Sequence, residues 1–169
     1  MRQDILIALT LLAVVACDRR AQGPNQAEHP ALALVREYAV RDARGEFTGV
    51  SPWYDQATEF QQEVPGWDQG AVVRRYEIRP VRLQEDSAVI AVAYDQVAVI
   101  GGDGAGGTRL AFRDTTYTET FVVLRTTGGW RIVKPILPSH TSASVVLEYP
   151  SLTPEQRSRL RAVAQLGPS

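Results

Sequence analysis

Ala88-Val89-Ile90-Ala91-Val92-Ala93-Tyr94-Asp95-Gln96-Val97-Ala98-Val99-Ile100 is the stretch that decides the fold of this chain. It is rich in Val and Ile, and both alternating sets are apolar. Ile90, Val92, Tyr94, Ala98 and Ile100 form one set, and Val89, Ala91, Ala93, Asp95, Val97 and Val99 the other. A strand that is apolar on both faces belongs in the middle of a sheet. Upstream, Gln84-Glu85-Asp86-Ser87 reads as a turn, and Val72 to Leu83 as a neighbouring strand. Pro80 marks an edge or a bulge in that neighbour, because proline has no amide hydrogen for a ladder.

Downstream, Gly101 to Gly107 is a glycine-rich hairpin loop. A phosphate-binding loop would need a following Lys and Ser/Thr opening a helix, and Thr108-Arg109-Leu110 leads toward another strand instead. Thr115 to Thr126 and Trp130 to Leu137 are two more strands, joined by the hairpin signal Thr127-Gly128-Gly129. With a four-residue turn, Arg125 pairs with Trp130. Tyr117, Glu119, Phe121 and Val123 then lie beside Trp130, Ile132 and Lys134. These residues are expected either to line a concave pocket, with Glu119 and Lys134 as its polar groups, or to pack as core with charges at the rim; another register separates the sets.

Two helices precede the sheet. Ala31, Leu34, Val35, Tyr38 and Asp42 recur at helical spacing from Ala31 to Arg44, with Pro30 in the first turn and Gly45 just past the end. Ser51-Pro52 opens a shorter helix that buries Trp53, Ala57 and Phe60 and is broken by Pro65-Gly66. At the other end, Thr153-Pro154-Glu155-Gln156 has the form of a capping box. The helix it opens runs to about Gln165, with Leu160, Val163 and Ala164 on one side and Arg157 and Arg161 on another. It is expected to pack on its own domain, the alternative being anionic lipid.

The N-terminus is of another kind. After Arg2, Ile5 to Ala16 is a run too short to span about 30 Å of hydrocarbon, and it ends at Cys17, the only cysteine. Val14-Val15-Ala16-Cys17 resembles the lipobox of bacterial lipoproteins. That resemblance implies cleavage of residues 1–16, diacylglyceryl transfer to the Cys17 sulfur and acylation of the new amino terminus. Two or three acyl chains anchor stably where one does not. Asp18 resembles the inner-membrane retention signal of enterobacterial lipoproteins, so the expected place is the bacterial cell envelope, lipid-anchored on the periplasmic face. Asp18 to Pro30 has no aromatic residue and little that is apolar, the composition of a tether. The expected organisation is signal 1–16, tether 17–30, domain 31–150, and C-terminal helix and tail 151–169.

With 169 residues, 44% apolar and 22% charged, the chain has the make-up of a globular protein, and a net charge of −1 gives no basic excess for nucleic acid. Without a second cysteine the domain rests on its core rather than on disulfides. No His, Cys or carboxylate cluster has metal-ligand spacing, and nothing calls for a cofactor. Ser139-His140-Thr141-Ser142 lacks a nucleophile-elbow pattern and reads as loop.

Two helices followed by a long curved sheet resemble the nuclear-transport-factor-2-like fold, which includes ketosteroid-isomerase-like enzymes. The likeness rests on the opening helix running into Asp42-Ala43-Arg44-Gly45-Glu46-Phe47, on Asp86 to Val92, and above all on Phe121 to Ile132 with its closing Trp-x-Ile pattern. It implies an α+β domain with N-terminal helices packed on a curved, cone-like antiparallel sheet of about four strands, plus the short C-terminal helix. It also implies a pocket in which an acid works as general base beside a tyrosine. Asp95 is the candidate acid, near Tyr38, Tyr76 or Tyr117; the alternative is an ion pair with Arg74, Arg75, Arg79 or Arg82. The fold hosts enzymes and binders alike. The leading expectation is a non-enzymatic domain that binds a small apolar ligand or an envelope protein, the second an isomerase, cyclase or dehydratase using Asp95, and the third a homodimerising module.

Overall fold

A computed structural model describes residues 28–48, 51–60, 69–102, 104, 107–134 and 139–165. Cys17, the signal, most of the tether, Pro65-Gly66 and the tail after Gln165 lie outside the described residues. The chain is α+β. Helices α1 (Pro30–Ala43) and α2 (Pro52–Ala57) precede strands β1 (Gln69–Leu83), β2 (Ser87–Gly102), β3 (Thr108–Thr126), β4 (Gly129–Lys134) and β5 (His140–Ser142). Helices α3 (Ala143–Val146) and α4 (Pro154–Gln165) follow. The curled sheet has the order β4-β3-β2-β1-β5, so β2 is central as its composition requires.

The helix starts follow from local chemistry. His29 caps α1, its ring accepting the Ala31 amide, and Ser51 caps α2 by accepting from Tyr54. α4 carries the full reciprocal box: Thr153 Oγ1 accepts from the Gln156 amide, and Gln156 Oε1 accepts from the Thr153 amide. Arg157 donates to the carbonyls of Leu147 and Tyr149. Leu160 is fully buried, so α4 packs on the domain.

The expected all-antiparallel sheet of about four strands needs correction. A fifth strand, β5, runs parallel to β1 through Ala71–His140, Val72–Thr141 and Val73–Ser142. It falls where the sequence reads as loop, because three residues are too few to show a period. Gly70 admits it: a Cβ there would meet the Ser139 carbonyl oxygen and Oγ at 3.3 Å. β5 covers β1 only at this end. From Arg74 onward β1 is an edge, and Pro80 sits there beside a register shift.

The grouping of side chains on β2 also needs correction. Opposite the single step from Val72 to Val73 on β1, β2 takes two steps from Ala98 to Gln96, a bulge that adds a residue to β2 and inverts the faces beyond it. Ile90, Val92 and Tyr94 join the core under α1 and α2, with Tyr38, Phe47, Phe121, Val123 and Ile132. Ala98 and Ile100 pack instead with Phe112, Val146 and Leu160 against α3 and α4. One sheet thus serves two cores.

Candidate functional site

Three elements meet at His140. Gly45, at φ 77°, turns the chain out of α1 in a conformation open to glycine. Arg44 then bridges to Thr141, which lays the last turn of α1 on β5. Asp42 therefore faces His140, and both are buried at 1% exposure. One carboxylate oxygen of Asp42 accepts the His140 backbone amide at 2.9 Å, and the other accepts Nδ1–H at 2.8 Å. At the opposite edge of the ring, Nε2 shares a hydrogen bond with the Tyr117 hydroxyl, 2.8 Å away. The Tyr94 ring stacks on the imidazole with centroids 4.0 Å apart and planes 6° off parallel.

Asp42 sits in the last turn of a helix, where the macrodipole disfavours a negative charge. Burial pushes its carboxyl up, and the bonds to His140 pull it back only in part. Glu119, two residues along the same face of β3 as Tyr117, has Oε1 3.8 Å from His140 Nε2. Burial pushes this carboxyl up to about 7, against the pull of His140 and reinforced by the Asp42 charge. Glu119 Oε2 and the Tyr94 hydroxyl are buried polar atoms with no hydrogen-bond partner among the described residues. Burial also raises Tyr94 and Tyr117, so both are neutral phenols at physiological pH.

Of the expected pocket residues, the structure brings Tyr117 and Glu119 together. Arg125 does pair with Trp130. A second irregularity, between Val122 and Val123, sets Lys134 opposite Val122 instead of Phe121. Lys134 is exposed, which removes it as the second polar group. Phe121 is core, edge-on to Tyr38 at 5.4 Å. Trp130 lies against His29 at the start of α1.

Asp95 takes the ion-pair alternative. Arg74 grips both its oxygens, at 3.0 and 3.1 Å, and Arg75 Nε lies 3.0 Å from Oδ2. Arg74 also reaches Asp114 and the Val163 carbonyl, so the cluster ties the sheet to α4. Both carboxylate oxygens of Asp95 are thus engaged by guanidiniums. The missed residue is His140. Its neighbours Ser139 and Thr141 gave the signal considered, whereas the informative one is a lone histidine whose partner Asp42 lies on the buried stripe of a helix. A shallow groove of about 220 Å³, lined by Gln69, Val99, Gly101, Arg109, Ala111 and Arg113, shares no residue with this cluster.

The folded-state pKa of Glu119 lies above its unfolded value, so the folded state holds this proton more tightly. The associated stability is complete below the unfolded value near 4.5 and is lost as pH rises through about 7. Wild type is expected to lose stability relative to Glu119→Gln between pH 5 and pH 8, read from paired urea titrations. Parallel curves across that range would refute the shift.

No known protein family and no curated protein matches this chain.

Proposed function

We propose that this chain is a bacterial envelope lipoprotein, tethered through lipid on Cys17, whose domain is a non-enzymatic receptor for a small, mostly apolar ligand. The ligand lies against the concave side of the sheet beside Tyr117 and Glu119. The carrying observation is the pair of orphaned atoms, Glu119 Oε2 and the Tyr94 hydroxyl, set among aromatic side chains. A buried polar atom without a partner costs about 1–3 kcal/mol, and a ligand that supplies the partner recovers that cost. The helices leading into a curled sheet also support kinship with the nuclear-transport-factor-2-like fold.

Titration of the full chain with benzyl alcohol tests the receptor reading. Saturable shifts of the His140, Tyr117 and Tyr94 ring resonances are expected; no shifts, or shifts spread over the surface, would reject it. Glu119→Leu is expected to raise stability by about 1 kcal/mol, since it removes an orphaned carboxyl from apolar surroundings. The anchor is tested by intact mass of membrane-extracted protein: a chain starting at Cys17 with added acyl chains, and no such species from Cys17→Ser.

A second reading is an acid–base enzyme centred on Glu119 and the Tyr117–His140–Asp42 relay rather than on Asp95. It is favoured by a carboxyl that titrates near neutrality beside a phenol bonded to an oriented imidazole.

A further inference from the structure

We infer that the ligand of the concave site is an organic cation: a protonated amine on an apolar or aromatic body, its ammonium placed against Glu119 Oε2 and its body against the tyrosine rings. This rests on the receptor reading above and adds the ligand's charge to it.

The ligand's charge follows from the charged groups around Glu119. Among the described residues they are Asp42 and His140, the latter with Nε2 3.8 Å from Oε1. Those acting on Tyr94 are Asp42, Glu119 and two other tyrosines. Among the described residues, no lysine or arginine forms an ion pair with Glu119. Lys134 is turned to the other side of the sheet. Arg41 is held by Glu37 and Glu46 and lies over Trp53. Arg36 is paired with Glu28. Two carboxyl groups thus share the site with a single imidazole, and that imidazole is already bonded to one of them.

The walls suit a cation as well. Tyr117, two residues from Glu119 on β3, stacks with Tyr94 of β2 at a centroid distance of 5.6 Å, and each ring face carries the negative side of its quadrupole. An anion would meet Glu119 and Asp42 with no fixed guanidinium to receive it. A hydrocarbon would leave Oε2 and the Tyr94 hydroxyl unpartnered. An ammonium N–H satisfies Oε2, restores the ionised form of Glu119 and lies against π faces. Tyr94 is the independent witness, since its hydroxyl is orphaned on a residue only 1% exposed.

The test uses three probes of similar size and different charge: benzylamine, benzyl alcohol and benzoate. Each is titrated into the full chain in neutral detergent, with empty micelles as blank, by calorimetry and tryptophan emission. Benzylamine at pH 8 is expected to bind roughly tenfold tighter than benzyl alcohol, the range of a partly desolvated cation–π and carboxylate contact. Benzoate is expected to bind most weakly. Benzylamine affinity is expected to rise severalfold from pH 6 to pH 8 as Glu119 ionises, while benzyl alcohol affinity stays level. Asp42, His140, Tyr38, Tyr94 and Tyr117 are the other titratable groups facing Glu119, and Glu119→Gln separates their part by removing the pH step and the amine preference together. Benzyl alcohol or benzoate binding as tightly as benzylamine would overturn the cation and leave the receptor standing. No binding by any of the three would overturn both. The ranking and pH series on the unmutated chain decide the matter even if the variant does not fold.

Discussion

Asp42→Ala is expected to lower unfolding stability by about 3–5 kcal/mol, the cost of removing one member of a buried, hydrogen-bonded ionisable pair. The carboxylate accepts from both the backbone and the ring of His140, with each residue 1% exposed. Without it, two donors are stranded in a space that alanine does not fill. Asp42→Asn keeps one acceptor and one unwelcome donor, so its loss should fall between wild type and alanine. The loss should come with a spectroscopic change at Tyr117, whose hydroxyl depends on the imidazole tautomer that Asp42 fixes. Equilibrium urea unfolding with tyrosine ring shifts is the measurement. A loss below 1 kcal/mol would mean that Asp42 and His140 do not meet.

Phe121→Ala is expected to cost a comparable 3–5 kcal/mol by a different mechanism, through lost apolar transfer and an unfilled cavity. Phe121 is fully buried and packs on Tyr38, itself in contact with Phe47 and Tyr54. Ile90 and Ile132, on the strands either side, are buried in the same cluster and would lose contacts with the ring. The control is Thr120→Ala on the exposed face, for which a change within about 0.5 kcal/mol is expected. A slip of β3 by one residue would exchange the two faces and reverse this order, so the pair of variants tests the register as well as the packing.

Features fixed by neighbours in the chain were legible from the sequence. The caps of α2 and α4, the turn after α1, the hairpin pairing of Arg125 with Trp130 and the central place of β2 each carry a signal within a few residues. What was not legible depends on contacts distant in the chain. Asp42 and His140 are 98 positions apart. β5 exists because Gly70 lets it close on β1, and three residues show no alternation. The bulges at Gln96–Ala98 and Val122–Val123 displaced Ala98, Ile100 and Lys134 from their expected faces, and neither interrupts the run of strand-forming residues. For Asp95, burial within an apolar strand announced a partner but could not choose between a pocket and an arginine; Arg74 and Arg75 are the answer.

The extra residue in β2 acts as a change of parity. Before it, even-numbered side chains belong to the aromatic core under α1 and α2; after it, even-numbered side chains belong to the core under α3 and α4. The two ends of a single strand are thereby addressed by different codons, and substitutions that tune one do not tune the other. Ala98, Ile100, Leu110 and Leu160 form a reserve of cohesion that can be strengthened or spent without touching the aromatic walls. A core that keeps orphaned polar atoms is a local weakness, and in this architecture its ballast is stored on the far side of the same strand.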